Sequence, residues 1–269
     1  MSYKSMITHV VADSSSASRL RMAESAAKVL GCQLVGAGAQ APWPGPVGAG
    51  ENYLEMMRAA ESELALARQA FCRHFETSSI ETAWRSEVGY PDEIVPRLSA
   101  IADLVLAYPT RGDIDRLAYT SADVLAMEAG LPVLVMPRSE RDFRADTILV
   151  CWKNTREARR AISASLPLLA GARRVLLAAV CGRDELDTVE RELAEVSARL
   201  ARHGATAATL AEVDSGAGAG HRLLHIAGID NSDLIVSGAY GHSRLREWVL
   251  GGVTQDLLRH GEPYILLVH

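Results

Sequence analysis

No run of about 18 consecutive apolar residues occurs in the sequence, so none of its segments has the length of a membrane-spanning helix. The first fifteen residues turn polar before a signal-peptide core forms, and a cytoplasmic setting is expected. The four cysteines, Cys32, Cys72, Cys151 and Cys181, form no CxxC pair. Cys151 and Cys181 sit in apolar runs, which suits free buried thiols in a reducing compartment better than disulfides or zinc. Basic charge is not in excess: 28 Lys and Arg stand against 33 Asp and Glu, a formal net charge of −5. The one basic cluster, Arg156, Arg159 and Arg160, reads as a solvated helix face, so nucleic acid is not an expected partner. Catalytic signatures are missing too. There is no G-x-S-x-G elbow, no G-x-x-x-x-G-K-[ST] loop, no G-x-G-x-x-G after a strand, and no H-x-G-H. A dedicated enzyme is therefore the weaker expectation, with slow incidental ATP hydrolysis as its limit.

The chain has 269 residues, 48% apolar and 23% charged, enough for two domains that each bury a core. It repeats itself. Residues 102–107 read Ala-Asp-Leu-Val-Leu-Ala and residues 232–237 read Ser-Asp-Leu-Ile-Val-Ser. Each run is followed by a short apolar strand opened by proline, Pro132 in one half and Pro263 in the other. Each half also begins with a β-rich run, Thr8 to Ala12 and Thr147 to Trp152, leading into a helix pattern. Four landmarks in one order imply a duplicated domain, with domains at 1–143 and 144–269 and the charged segment Pro137–Ala145 as linker.

Within the second half, strands are expected at 148–152, 174–180, 206–212, 234–237 and 265–268. Helices alternate with them, one capped by Thr155 and another ended by Gly204. In the first half, 51–75 reads as a long amphipathic helix with Leu54, Met57, Leu64, Phe71 and Phe75 on one face. Short apolar strands alternating with helices mean a parallel sheet covered on both faces.

Ligands of such sheets bind beyond the carboxyl ends of the strands. After strand four of the second half the chain reads Gly238-Ala-Tyr-Gly241-His242-Ser-Arg, then Gly251-Gly252-Val253-Thr254, a spacing of G-x2-G-x9-G-G-x-T. Glycines there expose backbone N–H groups without a Cβ in the way, and a helix start favours an anion. The alternative is that the glycines only permit a tight strand-to-helix turn.

The stretch from Asp233 to His269 resembles the C-terminal part of universal stress proteins, whose nucleotide-binding members carry G-x2-G-x9-G-(Ser/Thr). The run Ile148-Leu-Val-Cys-Trp-Lys-Asn-Thr-Arg-Glu-Ala resembles that family's first strand and helix, and the tandem arrangement resembles its two-domain bacterial branch. The resemblance implies two Rossmann-like domains of the adenine nucleotide alpha hydrolase type, each a five-stranded parallel sheet of order 3-2-1-4-5. It implies that the domains pair as separate members dimerise, and a homodimer of the whole chain is a further expectation. It also implies an adenine nucleotide, ATP or AMP with or without magnesium, in the second domain. Gly238, Gly241, Gly251, Gly252 and Thr254 would lie at the phosphates and Val150, Cys151, Trp152 and Lys153 along base and ribose. Val180, His242 and Val253 complete the set.

Three departures stand out. The Asp that reaches the nucleoside in ATP-binding relatives is kept as Asp13 in the first half, whereas the second half has Lys153. The first half lacks the glycines and reads Tyr108-Pro109-Thr-Arg after strand four. Gly252 stands where many relatives carry Ser or Thr. Elsewhere, His221 and His225 have the four-residue spacing of a metal face but no third ligand, and read as a surface pair. His9 reads as a core histidine and Ser14 to Ser16 as a helix cap. Two readings remain for the chain: a nucleotide-binding stress-response protein, or a ligand-free interaction module.

Overall fold

The computed structural model describes residues 2–42, 53–109, 118–239 and 252–269. The chain packs as two compact units. The N-terminal unit comprises Tyr3–Leu131 with Glu140–Asp142, and the C-terminal unit comprises Pro132–Ser139 and Phe143–His269.

The N-terminal unit holds β1 (Ser5–His9), β2 (Gln33–Gln40), β3 (Thr82–Val88) and β4 (Leu104–Ala107), in the order β3-β2-β1-β4 with every pair parallel. Its helices are α1 (Ser16–Leu30), α2 (Tyr53–Phe75), α3 (Pro91–Leu98) and α4 (Ala122–Glu128). Helix α1 ends at Gly31, whose left-handed φ of 61° suits a residue without a side chain. Strand β2 carries Gly36 and Gly38 because α2 and β3 press on it: a Cβ on Gly36 would lie 2.7 Å from the Trp84 ring and 2.9 Å from that of Phe71. Helix α2 buries Ala60, Ala67, Phe71 and Phe75. Leu54, expected on that apolar face, is instead exposed in the first turn of α2.

The C-terminal unit holds β5 (Val133–Val135), β6 (Thr147–Cys151), β7 (Arg174–Cys181), β8 (Ala207–Val213), β9 (Leu234–Gly238) and β10 (Tyr264–Val268). Their order is β5-β10-β9-β6-β7-β8. From β10 to β8 all pairs are parallel, the expected 3-2-1-4-5 arrangement. Strand β5, expected as the fifth strand of the first domain, groups here and pairs antiparallel to β10, Ile265 opposite Val135. Helices α5 (Arg156–Leu169), α6 (Leu186–Arg202), α7 (Ala219–Asp230) and α8 (Gly252–His260) complete the unit. Thr155 caps α5 by accepting from the Ala158 N–H at 3.3 Å. Gly204 follows α6 with φ 82°. The segment read as a linker is partly packed: Phe143 is buried with its ring edge on Tyr264, centroids 4.9 Å apart.

The repeat has a structural cause. Asp103, just before β4, accepts from the N–H groups of Lys4 and Ser5 at 2.7 and 3.0 Å and donates its own N–H to the Ser5 carbonyl. Asp233, just before β9, accepts from the Thr147 N–H at 3.0 Å and donates its N–H to the Thr147 carbonyl. Each aspartate satisfies the entry of a central strand that would otherwise leave a donor unpaired.

Candidate functional site

In each unit the chain lays its first three strands outward in one direction and the fourth on the other side of the first. The direction reverses between β1 and β4 in one unit and between β6 and β9 in the other. Such a reversal leaves a crevice at the carboxyl ends of the two strands, where open α/β sheets bind ligands. Register makes the crevices comparable. Met6 pairs with Leu104 and Ile148 with Leu234, so Tyr108 occupies the position that Gly238 holds in the other unit.

In the C-terminal unit the sequence-predicted residues divide. Val150, Cys151 and Trp152 are buried at the end of β6, and the Trp152 indole N–H donates to Glu192 at 3.1 Å. Burial alone pushes the Cys151 thiol up to about 12, so it is no nucleophile. Lys153 is exposed on the turn into α5, and Val180 is half-buried near the end of β7. Gly238 ends β9 against the start of α5: a Cβ there would meet the Ala158 nitrogen at 2.6 Å and the Glu157 carbonyl carbon at 2.7 Å. Packing alone demands glycine at this position. Gly252 is different. It opens α8, is exposed, and a Cβ on it would meet nothing within 4 Å. Its φ is not left-handed either. Among the described residues neither packing nor backbone explains it. Val253 is half-buried, and Thr254 is buried in the first turn of α8. Gly241, His242 and Gly251 lie outside the described residues.

Glu157 escaped the sequence reading. It lies in the first turn of α5 beside Gly238, almost wholly buried, with one carboxylate oxygen accepting from the Arg156 Nε at 2.5 Å. The other oxygen has no hydrogen-bond partner among the described residues. Glutamate in a first helical turn is ordinary, so nothing in its local sequence marks it.

The crevice of the N-terminal unit is filled by the protein itself. Asp13 follows β1, and Arg19 reaches down from α1 to meet it with both nitrogens of its fork: Nη1 to Oδ2 at 2.9 Å and Nη2 to Oδ1 at 2.7 Å. Nη2 also donates to the Val11 carbonyl at 3.1 Å. The Ser15 N–H donates to Asp13 at 2.9 Å, and the Tyr119 hydroxyl donates to the same carboxylate. The guanidinium lies over the Tyr108 ring, 4.7 Å from its centroid, and 5.9 Å from that of Tyr119. The Tyr108 hydroxyl donates to the His9 carbonyl. Burial pushes the Asp13 carboxyl upward, but the hydrogen bonds from Arg19 and Tyr119 outweigh it and hold the group below the usual carboxylate range. Burial and the Asp13 carboxylate together push the Tyr119 phenol up to about 12. A cleft beside this cluster, lined by Val11, Ala12, Gln40, Glu63 and Leu64, has about the room one water needs.

His9 is buried with Nε2 at 3.3 Å from the Ala39 carbonyl, while its Nδ1 has no partner among the described residues. His221 lies 3.3 Å from Asp256 and 5.7 Å, ring to ring, from His260; His225 lies 3.5 Å from Arg222. No cluster of three or more potential metal ligands exists among the described residues. No helix among them is long and apolar enough to cross a membrane.

The fold is that of the universal stress proteins, in their two-domain form. A universal stress protein from Archaeoglobus fulgidus DSM 4304 superposes with a TM-score of 0.74 at 14% identity, covering 98% of this chain and 97% of that one. A functionally unknown protein from Pseudomonas aeruginosa PAO1 superposes at 0.63 with 15% identity, over 99% and 92% of the two chains. A protein assigned provisionally to the universal stress proteins, from Pseudomonas aeruginosa UCBPP-PA14, also superposes at 0.63, with 16% identity over 99% and 93%. No protein-family model matches the sequence, and no curated protein matches it.

Proposed function

We propose that this chain is a stress-response protein of the universal stress protein type, cytoplasmic, that binds an adenine nucleotide, ATP or AMP, in its C-terminal unit. The carrying observation is Gly252: an exposed glycine at the start of a nine-residue helix that neither packing nor backbone conformation requires among the described residues. The first N–H groups of that helix have no intrahelical partner, and a helix start at the carboxyl end of the sheet favours an anion. The glycine spacing from Gly238 to Thr254 and its resemblance to the nucleotide-binding pattern support the same reading. Phosphates would lie along Gly238, Gly241, Gly251 and Gly252, with base and ribose toward Trp152 and Lys153. Thr254, buried, would serve through its backbone more than its hydroxyl. The residues present fit an anion, and Lys153 adds a cation where other members are expected to carry an aspartate.

Native mass spectrometry of the purified chain tests this directly. Co-purified AMP or ATP, or a rise in melting temperature with millimolar nucleotide, is expected. Gly252→Val should abolish that rise while leaving the melting temperature of the nucleotide-free protein unchanged, since its Cβ meets none of the described residues within 4 Å. Empty preparations and no thermal shift with either nucleotide would remove the reading. A ligand-free interaction module would then stand, and it already has one observation in its favour: Gly238 is explained by contact with α5 alone.

A further inference from the structure

We infer that the crevice between β1 and β4 is a guanidinium-binding site that the chain fills with its own Arg19. The inference concerns the N-terminal unit and stands apart from nucleotide binding in the other. Five features converge on one planar cation. Two parallel N–H donations go to separate oxygens of Asp13, at 2.9 and 2.7 Å. A third goes to the Val11 carbonyl at 3.1 Å. The Tyr108 ring supplies a π face 4.7 Å away. The Tyr119 hydroxyl and the Ser15 N–H hold the receiving carboxylate from two other sides. The Asp13 charge is matched by the one guanidinium it binds, so the filled site is neutral overall.

The same fourth residue of the corresponding helix shows what an ordinary arginine does. Arg159 donates to the Asn154 side chain at 2.6 Å on the exposed surface. Arg19 is mostly buried, its side chain 15% exposed. A fork with two fixed donors matches a carboxylate and stacks on a ring, which a lysine ammonium cannot do. The site therefore selects a flat, bidentate cation and is closed to anions and to neutral ligands. The N-terminal unit is occupied constitutively, whatever the other unit binds.

The test is chemical rescue in the full-length chain. Arg19→Ala should lower the melting temperature of the N-terminal unit by about 5–10 °C. Addition of 20 mM (roughly, well below denaturing levels) guanidinium chloride should restore at least half of the loss in this variant and none in the wild type. Tetramethylammonium chloride at equal ionic strength, a cation without N–H donors, should restore nothing. Equal responses to the two salts would overturn the proposal and leave a simple helix-end ion pair. Should Arg19→Ala fail to fold, nitrogen-detected NMR of the wild type decides. Separate, slowly exchanging Nη signals for Arg19 are expected, and a single averaged signal overturns it.

Discussion

The two crevices of this molecule are built on one plan and differ at one register position and in the turn that follows the first strand. Where β9 ends in Gly238, helix α5 comes within van der Waals contact of the strand backbone. Where β4 ends, Tyr108 stands in that place, and its ring supports a guanidinium. The turns differ as well: residues 10–15 join β1 to α1, whereas residues 152–155, two fewer, join β6 to α5. The longer turn carries Asp13 far enough over the strand ends to meet Arg19, and the shorter one ends at the Thr155 cap with Lys153 in solvent. The lesson is that duplicated domains can keep a sheet and its strand-entry aspartates, Asp103 and Asp233, while one crevice is closed by a half-buried ion pair that has no counterpart among the described residues of the other.

Converting one crevice toward the other should have the largest effect. Tyr108→Gly gives the N-terminal unit the residue of its counterpart, removes the ring under Arg19 and the donor to the His9 carbonyl, and is expected to cost about 3 kcal/mol in urea unfolding. A loss below about 1 kcal/mol would show that the ring is not part of the core.

Next comes the pH dependence of the same unit. Burial, reinforced by the nearby Arg19 charge and opposed by the Ala39 carbonyl, lowers His9 to about 4. Its folded value lies below the unfolded value near 6.5, so the unfolded chain binds the extra proton between these limits. Stability should therefore fall by up to about 3 kcal/mol as pH drops from 6.5 to 4. The Asp13 contribution, from a depressed carboxyl, is lost only at lower pH. His9→Gln should flatten the slope between pH 4 and 6.5, and an unchanged slope would assign it to other groups.

The reciprocal change in the C-terminal unit is smaller. Gly238→Ala places a Cβ 2.6 Å from the Ala158 nitrogen, and the start of α5 must shift, at about 1–3 kcal/mol. Calorimetry resolving two transitions should show only one of them move. Smallest is a reactivity contrast. Cys72 is exposed on α2, while Cys32, Cys151 and Cys181 are buried. Burial pushes the Cys32 thiol up to about 11 and Cys151 to about 12. Alkylation at pH 8 should label Cys72 within minutes and leave the other three untouched until the protein unfolds. Fast labelling of Cys151 would mean that the end of β6 is open.

Much of the fold was legible. The strand positions of the second half, the Thr155 cap and the α6 terminator Gly204 rest on patterns a few residues long, and each lies within a residue or two of its expected place, whereas β1, expected from Thr8 to Ala12, runs three residues earlier, Ser5–His9. Leu54 was misread because helical periodicity reports a face without reporting which of its turns are covered. Strand β5 was placed in order, but its antiparallel pairing with β10 joins residues far apart in the chain, Leu134 with Leu266 being 132 positions apart, beyond any local signal. The glycine spacing was visible, yet two of its members turned out unequal: Gly238 answers to packing, and Gly252 has no such contact among the described residues.

What the sequence by itself determined is the alternation of short apolar strands with helices, the duplication, and the aspartates that open the central strands. These depend on periodicity and on backbone donors close in the chain. Only the tertiary structure decided which crevice is occupied. Asp13, Arg19, Tyr108 and Tyr119 come together across as many as 106 residues of chain, from Asp13 to Tyr119. A carboxylate, a guanidinium and two rings gain their mutual attraction only when the fold removes them from water at the same point.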